Sequence, residues 1–250
     1  MSAPTLTICH LYPELLNLYG DRGNVLCLVR RLQWRGIGCE LRSLRVGERP
    51  QLDDVDLFFA GGGQDFEQTV LMEDLRHGAT RELQAAAADG RTMLGICGGF
   101  QLLGYDYETA DGTRLEYLGV ADFRTVAGAS RLVGDLVFDV DGTQVVGFEN
   151  HGGRTFLGPG AQPLGRVIRG GGNNGQDGTE GVHAGNIFGT YAHGPVLPKN
   201  PALADAVLES ALVRKYGAFA LEPLDGAVEA AAREEALARA KVRGKVDSLR

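Results

Sequence analysis

The sequence predicts an α/β fold in which a mostly parallel central sheet is flanked by helices and carries an antiparallel extension. Short apolar runs alternate with helical patterns over roughly the first hundred residues. These runs are apolar on both faces, which is typical of parallel strands covered on two sides. After Tyr105 the pattern changes to short extended segments joined by turn signals, which indicates antiparallel strands.

Four apolar runs and three helical patterns define the parallel part. The strands are predicted at Thr5–Leu11, Cys39–Leu44, Val55–Ala60 and Thr92–Ile96. The spacing of apolar residues predicts helices at Asn24–Arg35, at Phe66–Ala88 and from Gly98 to Leu103.

The second half is predicted to contain an antiparallel insert, two further strands and two helices. A turn at Phe138–Gly142, followed by an extended run at Gln144–Phe148, indicates a hairpin. Further strands are predicted at Arg166–Arg169 and Gly189–Ala192, and a helix from an Asn200 cap and Pro201 to near Gly217. A terminal helix is predicted at Ala227–Arg243, or about residues 225–245, and its charge is interpreted as a solvated face rather than a docking surface. No linker is recognisable, so residues 1–250 are interpreted as one domain.

Composition excludes several classes of function. The net charge is −7, whereas a nucleic-acid-binding protein usually has a basic face. No stretch approaches the roughly 18 apolar residues that a membrane span needs, and the first residues do not resemble a signal peptide. We therefore expect a cytoplasmic protein.

The four cysteines are expected to be reduced thiols. Cys9, Cys27, Cys39 and Cys97 form neither a C-x-x-C pair nor a cluster with zinc-binding spacing, so no metal site is expected. The first three lie in apolar surroundings and are interpreted as small buried hydrophobic residues.

Cys97 stands out as a candidate nucleophile. In the segment GICGGFQLLG an apolar strand leads directly into Cys97, and glycines stand on both sides of it. This is the cysteine version of the strand–nucleophile–helix turn of hydrolases, which exposes the nucleophile at the carboxyl edge of a sheet. The N-terminus of the following helix favours a thiolate.

A thiolate that attacks an amide also needs oxyanion donors and a base. The backbone N–H of Gly98 is one natural donor, and others are Gly62 and Gly63 in the loop that follows a neighbouring strand. Any one of these glycines could instead serve only as a turn residue.

Of the five histidines, His193 is the best candidate base. Like Cys97, it follows an apolar strand and precedes a glycine, so both side chains can meet at the carboxyl edge of one parallel sheet. His151 lies in Gly147–Thr155, which is interpreted as a loop whose composition could be functional.

These motifs together resemble a known family. GICGGFQLLG, AGGGQD and GTYAHG look like the class I glutamine amidotransferases, which have a flavodoxin-like fold, and specifically their cobyric-acid-synthase-like branch. The segments LYGDRGN, FENHGGRT and GNNG, with Glu180-Gly181, are most similar to glutaminase subunits of lipid II isoglutaminyl synthases. The resemblance covers nearly the whole chain.

The resemblance implies roles for individual residues. Cys97 would attack the side-chain amide of glutamine to give a γ-glutamyl thioester, with His193 as its base. Arg131 matches the position that holds the substrate glutamine, and a guanidinium suits its α-carboxylate. Further candidates lie in the matching segments: Asp21, Gln64, Asn150 and His151.

One position departs from the wider family. Many class I enzymes have Glu two residues after the catalytic His, where this sequence has Pro195. The carboxylate that orients His193 could come from Asp21, from Glu149 or from a partner chain. We favour the partner, because catalysis would then be switched on only in the complex.

The resemblance also implies a separate partner subunit. The sequence has no G-x-x-x-x-G-K-[ST] phosphate loop, so no cofactor is expected in this chain. A Mur-ligase-like subunit would bind ATP and Mg²⁺ and amidate D-glutamate of lipid II, in peptidoglycan synthesis, to D-isoglutamine. The alternatives are a glutaminase for corrinoid amidation, a non-catalytic regulatory module, and a cysteine peptidase or DJ-1-like hydrolase.

Overall fold

A computed structural model describes residues 3–48, 51–63, 71–75 and 78–247 of the chain. The described residues form two six-stranded sheets. The strands are β1 (Thr5–Leu11), β2 (Gly38–Leu44), β3 (Leu57–Ala60), β4 (Thr92–Ile96), β5 (Asp106–Glu108), β6 (Arg114–Glu116), β7 (Phe123–Val140), β8 (Thr143–Leu157), β9 (Gly165–Arg169), β10 (Thr179–Glu180), β11 (Val182–Ala184) and β12 (Ile187–Thr190). The helices are α1 (Arg22–Trp34), α2 (Thr80–Ala88), α3 (Gly98–Leu102), α4 (Val196–Lys199), α5 (Pro201–Tyr216) and α6 (Ala227–Asp247).

The first sheet, called the central sheet below, has the strand order β11-β12-β4-β3-β1-β2. All neighbouring pairs are parallel except β11 with β12. Every residue of β3, β4 and β12 is buried, as expected for strands covered on both faces. The predicted parallel sheet is therefore confirmed, and the strand predicted at Gly189–Ala192 begins and ends two residues earlier.

The predicted antiparallel extension is a sheet of its own. In this second sheet the order is β10-β9-β7-β5-β6, and β8 pairs with β7. The hairpin of β7 and β8 extends far beyond the predicted turn, from the pair Val140–Thr143 to the pair Phe123–Leu157.

The interpretation of Gly147–Thr155 as a loop is wrong, because these residues lie in β8. Burial alternates along this part of the strand, and its buried positions include Glu149, His151 and Thr155. A buried face made of polar side chains hides the period-2 hydrophobic pattern that predicts a half-buried strand.

The helical pattern predicted at Phe66–Ala88 falls partly outside the described residues, which omit 64–70 and 76–77. Residues 71–75 are helical, but a turn at residues 78–79 separates them from α2. The hydroxyl of Thr80 donates to the carbonyl of Leu75 at 2.9 Å, which links α2 to residues 71–75. The predicted helical pattern is therefore confirmed at residues 71–75 and at Thr80–Ala88, and a turn at residues 78–79 interrupts it.

Asn200 precedes α5 as predicted, but its side chain makes no capping hydrogen bond to that helix. Its side chain instead accepts a hydrogen bond from the Val146 N–H and donates to the Val146 carbonyl, each at 2.9 Å. Asn200 therefore ties the start of α5 to β8.

The terminal helix α6 packs one face against the hairpin, where Leu237 and Ala240 contact Val137 and Val146. None of the helices in the described ranges combines the length and apolarity needed to cross a membrane.

Candidate active site

Cys97 occupies a strained turn between β4 and α3. Its φ of 51° and ψ of −106° are rare for a residue with a side chain, and such strain is concentrated at functional sites. The thiol residue is 6% exposed. A Cβ on Gly99 would lie 2.2 Å from the carbonyl oxygen of Ala60, so only glycine lets α3 begin this close to β3.

Main-chain hydrogen bonds join this turn to its two neighbours. The Cys97 N–H donates to the carbonyl of Thr190, the last residue of β12, at 2.9 Å. The Gly99 N–H donates to the carbonyl of Gly61 at 3.0 Å. The predicted nucleophile, the glycine loop and the end of β12 therefore meet at one edge of the central sheet.

The helix after Cys97 is shorter than the sequence predicts, because α3 contains five residues and ends at Leu102. A helix of this length offers the N–H groups of one turn and little beyond them. Any stabilisation of a Cys97 thiolate by α3 therefore comes from these N–H groups.

His193 lies just beyond β12 and is completely buried. Its backbone exchanges hydrogen bonds with Phe148 of β8, at 2.8 and 3.3 Å, which joins the two sheets at this point. The imidazole stacks on Phe148 with ring centroids 5.5 Å apart, and Tyr19 packs edge-on against it at 4.9 Å. Neither ring nitrogen has a hydrogen-bond partner among the described residues.

Burial, followed by the charges of His151 and Arg131, lowers the pKa of His193 to about 4. The imidazole is therefore neutral at neutral pH, which is the protonation state that a general base requires.

The glycine loop contacts His193 directly. A Cβ on Gly62 would lie 2.8 Å from Cε1 of His193. The imidazole ring therefore packs directly against the Gly62 backbone. The Gly62 N–H donates to Oδ2 of Asp21 at 2.6 Å. Gly62 can therefore act as an oxyanion donor only if Asp21 releases it, and this role stays a prediction, as it does for Gly63 and Gly98.

Asp21 is the candidate carboxylate of this chain that faces the His193 ring. Its Oδ2 lies 3.9 Å from Nδ1 of His193, and both side chains are fully buried. Its Oδ1 accepts a hydrogen bond from the Asn24 amide at 3.1 Å. Burial raises the pKa of Asp21 to about 7.

Glu149, the other candidate, has different partners. It accepts hydrogen bonds from the N–H groups of Gly171 and Gly172, at 2.6 and 3.0 Å, and lies 3.5 Å from Nε2 of His151. His151 stacks on Tyr191 with ring centroids 3.6 Å apart.

Arg131 lies inside β7, next to an irregularity in its pairing with β8, and not at a strand start. Its Nε and one terminal nitrogen donate to the side-chain and backbone oxygens of Asn150, each at 2.8 Å. The Asn150 amide donates in turn to the Tyr19 hydroxyl at 2.5 Å. The fourth accessory candidate, Gln64, lies outside the described residues.

Comparisons with known proteins identify the family of this chain. The family model described as the CobB/CobQ-like glutamine amidotransferase domain matches residues 7–201. The chain belongs to this glutamine amidotransferase family.

Named relatives of this amidotransferase include two bacterial proteins called "Lipid II isoglutaminyl synthase (glutamine-hydrolyzing) subunit GatD". The protein from Staphylococcus aureus is 44% identical over 94% of this chain and 96% of its own length. The protein from Streptococcus pneumoniae is 43% identical over 85% of this chain and 82% of its own. A cobyric acid synthase from Pelotomaculum thermopropionicum is 34% identical over 63% of this chain but only 32% of that protein.

Solved structures support the fold of the amidotransferase. PurLQS from Thermotoga maritima matches 85% of this chain with a TM-score of 0.54 and 18% identity. A glutamine amidotransferase from the same organism matches 95% of the chain, also with a TM-score of 0.54, at 15% identity.

The position of the amidotransferase's His193 segment also depends on Glu180, whose structural role the sequence does not predict. Oε1 of Glu180 accepts hydrogen bonds from the Thr190 hydroxyl and the Tyr191 N–H, at 2.6 and 2.7 Å. Burial raises the pKa of Glu180 to about 7. Tyr191 is fixed further by Thr155, 2.7 Å from its hydroxyl.

Three aromatic neighbours also escaped sequence-based prediction: Tyr19, Phe148 and Tyr191. All three lie inside the motifs LYGDRGN, FENHGGRT and GTYAHG, so the motifs themselves were the available signal.

Of the remaining cysteines, Cys9 is buried in the core as predicted, whereas Cys27 and Cys39 are only half-buried and pack against it. Burial raises the pKa of Cys9 to about 12 and the pKa values of Cys27 and Cys39 to about 11, so all three are thiols at neutral pH. No disulfide joins any of the four cysteines, all of which are in the described part of the chain. Within the described ranges, no group of three or more His, Cys, Asp or Glu side chains is arranged to hold a metal ion.

Proposed function

We propose that this amidotransferase is the glutaminase subunit of a lipid II isoglutaminyl synthase and that Cys97 and His193 are its catalytic pair. The observation that carries the proposal is the set of main-chain hydrogen bonds that ties the Cys97 turn both to the end of β12, just before His193, and to the Gly61 loop. The two relatives with this name, which align with most of their length, support the choice of reaction.

In the first step the Cys97 sulfur attacks the side-chain amide carbon of glutamine while His193 takes the thiol proton. The carbonyl oxygen becomes an oxyanion, which the backbone N–H groups of Gly98 and Gly63 stabilise, joined by Gly62 if Asp21 releases it. Because His193 is neutral at neutral pH, it has a free lone pair with which to take up this proton.

Collapse of the tetrahedral intermediate breaks the C–N bond. The imidazolium of His193 returns its proton to the leaving nitrogen, so ammonia departs and a γ-glutamyl thioester remains on Cys97. Water then attacks the thioester with His193 again as the base, and glutamate and the thiol are released.

Arg131 binds the α-carboxylate of the substrate in this proposal. A guanidinium can pair with a carboxylate through two parallel hydrogen bonds. Asn150 holds Nε and one terminal nitrogen of Arg131, which leaves the edge formed by its two terminal nitrogens to face a carboxylate. Such pairing selects free glutamine over a glutamine inside a peptide, which has no free α-carboxylate.

The carboxylate that orients His193 is proposed to come from the partner subunit. Asp21 is the competing candidate, but its oxygen is 3.9 Å from Nδ1, beyond the hydrogen-bond distance that an orienting group requires. Completion of the site by the partner would keep glutamine hydrolysis slow until an acceptor enzyme is bound. If the isolated chain hydrolyses glutamine at the full rate of the complex, this part of the proposal is wrong.

The partner is proposed to be a Mur-ligase-like subunit that binds ATP and Mg²⁺, and both subunits are proposed to act in the cytoplasm. It would activate the α-carboxylate of D-glutamate in the stem peptide of lipid II, and ammonia from this chain would convert it to D-isoglutamine. Delivery within a complex keeps ammonia unprotonated, and only the unprotonated form is a nucleophile.

The test compares two nitrogen sources for the complex of this chain with its ligase subunit, lipid II and ATP. With Cys97→Ala we expect amidation to be lost with glutamine and retained with ammonium, as measured by mass spectrometry of the stem peptides. Cys39→Ala is the matched control and is expected to use both sources. Glutaminase activity that survives in Cys97→Ala would refute the assignment of Cys97, and amidation of a corrinoid instead of lipid II would refute the proposed acceptor.

A further inference from the structure

Tyr19 has an unusual position in the turn between β1 and α1. Its φ of 55° is positive although it has a bulky side chain, and it lies within the short 3₁₀ turn Leu18–Gly20. The residue is 42% exposed, yet its ring packs edge-on against both His193 and Phe148 with centroids 4.9 Å apart. A bulky residue with this backbone conformation calls for a functional explanation.

Within this chain, the described residues hold the imidazole of His193 by packing. Since neither ring nitrogen has a hydrogen-bond partner among the described residues, the ring's orientation depends on its neighbours. Phe148 stacks on it, Tyr19 packs edge-on against it, and the Gly62 backbone lies against Cε1. Of these three neighbours, Tyr19 is the exposed one. Removing its ring would leave space in which the imidazole can rotate.

The hydroxyl of Tyr19 links this ring to Arg131. It accepts a hydrogen bond from the Asn150 amide at 2.5 Å, and Asn150 accepts two hydrogen bonds from the guanidinium of Arg131. One chain of contacts therefore runs from Arg131 through Asn150 and Tyr19 to His193.

We propose that Tyr19 is a positioning residue for glutamine hydrolysis. Its ring fixes the imidazole of His193, and its hydroxyl, through Asn150, fixes the guanidinium of Arg131 that receives the substrate's α-carboxylate. The inference rests on the proposed function, because it assigns one supporting side chain to the base and the substrate-binding residue of that reaction.

The two parts of the Tyr19 side chain have separable effects. Loss of the hydroxyl breaks the link to Asn150 and loosens Arg131, which weakens glutamine binding and leaves the base in place. Loss of the ring frees the imidazole, and a base displaced by about 1 Å can cost about 100-fold in rate. The hydroxyl therefore acts on KM and the ring acts on kcat.

The ring also shields His193 from water. The titratable or charged side chains around this imidazole come from several elements: Asp21 before α1, Arg131 on β7, His151 on β8 and Lys199 on α4 beside Gly194. Removing the Tyr19 ring also removes its hydroxyl and so loosens Arg131, whose charge contributes to the low pKa of His193. Water that replaces the ring reduces the burial that lowers the His193 pKa, so this pKa rises toward its ordinary value.

The experiment uses the full chain in complex with its ligase subunit and measures glutamine hydrolysis from acid to neutral pH. Tyr19→Phe keeps the ring and removes the hydroxyl. Tyr19→Asn removes the ring but retains a residue type that tolerates a positive φ. The control is Tyr216→Phe, because Tyr216 is also 42% exposed and hydrogen-bonds through its hydroxyl, but to Thr5 at the opposite edge of the central sheet.

We expect Tyr19→Phe to raise KM for glutamine about 3-fold to 10-fold, the equivalent of one neutral hydrogen bond, with kcat within about 2-fold of wild type. We expect Tyr19→Asn to lower kcat at least about 10-fold and to move the acid limb of kcat/KM to higher pH, because a base is lost as pH falls through its pKa. Tyr216→Phe should match wild type in all three quantities.

The inference would be overturned if both Tyr19 variants fold and both retain the wild-type kcat, KM and acid limb of the pH profile. If thermal unfolding shows that Tyr19→Asn does not fold, the division between KM and kcat in Tyr19→Phe decides the matter alone. Failure of the proposed function gives a different result, in which the wild-type complex does not hydrolyse glutamine or Cys97→Ala still does.

Discussion

The two sheets contribute to the site in different ways. On the central sheet, the Cys97 turn, the Gly62 loop and the segment before His193 are positioned by backbone hydrogen bonds and by glycines that permit close contact. On the second sheet, Arg131 and Asn150 are positioned by side-chain hydrogen bonds on a long hairpin. The groups proposed to carry out the chemistry therefore lie at the rigid edge of the central sheet. The groups proposed to recognise the substrate lie on the second sheet.

The largest expected effect separates two of the buried histidines, His193 and His151. His193→Ala removes the proposed base at the edge of the central sheet and should lower kcat for glutamine by about 100-fold to 10,000-fold. His151→Phe, on β8, retains a ring that can stack on Tyr191, and kcat should fall by less than about 10-fold, which is about 1.4 kcal/mol in activation free energy. Steady-state kinetics of the complex would check both values, and the reverse ranking would assign the base to the second sheet.

The next effect compares glycines of the two sheets. Gly99→Ala places a Cβ 2.2 Å from the Ala60 carbonyl oxygen, and we expect it to lower the free energy of unfolding by about 3 kcal/mol. A Cβ on Gly134 of β7 would meet no atom within 4 Å, so Gly134→Ala should change the free energy of unfolding by less than about 1 kcal/mol. Urea denaturation measures both, and equal losses would show that the nucleophile turn is no more tightly packed than the hairpin.

A smaller effect tests whether the hairpin depends on the terminal helix. Leu237→Ala removes the largest side chain that α6 buries against Val137 and Val146, and we expect a loss of about 2 kcal/mol in the free energy of unfolding. Val228→Ala, in the same helix at an 81% exposed position, should change it by less than about 0.5 kcal/mol. If thermal or urea unfolding cannot distinguish these variants, α6 does not stabilise the second sheet.

The smallest effect concerns Glu180, which lies in β10 of the second sheet and holds the end of β12 of the central sheet. Burial raises its pKa from 4.5 to about 7, so between these values the folded protein retains a proton that the unfolded chain releases. Its contribution to stability is therefore complete below pH 4.5 and is lost as pH rises through about 7.

Glu180→Gln cannot titrate, although its side-chain oxygen can still accept the hydrogen bonds from Thr190 and Tyr191. As pH rises from 4.5 to 7, the free energy of unfolding of Glu180→Gln should increase relative to that of wild type by about 1 kcal/mol for each pH unit. Urea unfolding at pH 5 and pH 6 measures this difference, to which Asp21 and His193 contribute little because both proteins contain them. A difference that does not change with pH would contradict a raised pKa for Glu180.

Sequence reasoning succeeded where one local pattern determines structure. The limits of β1 and β4 match their predictions, because strands buried on both faces appear as continuous apolar runs. Sequence reasoning failed on β8, because the buried polar side chains of Glu149 and His151 give this strand the composition of a loop. Burial of such side chains depends on partners such as Gly171, which are distant in sequence.

The same distinction applies to the candidate site. The predictions for Cys97 and His193 came from a local feature, a strand end next to glycine, and the catalytic roles themselves stay predictions. No local pattern could place Tyr19 against His193 or bring Asn150 to its hydroxyl, because these contacts join segments far apart in the chain. Sequence thus locates reactive groups better than the groups that position them.

The most direct measurement of the central claim is labelling of the complex with a glutamine analogue that carries an electrophilic diazoketone in place of the side-chain amide. Once the diazo carbon of the analogue is protonated, the sulfur of the nucleophile displaces N₂ from that carbon and remains attached to it through a C–S bond. We predict one adduct per chain, on the peptide that contains Cys97, with none on Cys9, Cys27 or Cys39 and with protection by excess glutamine. An enzyme that hydrolyses glutamine yet is labelled elsewhere, or not at all, would contradict the account.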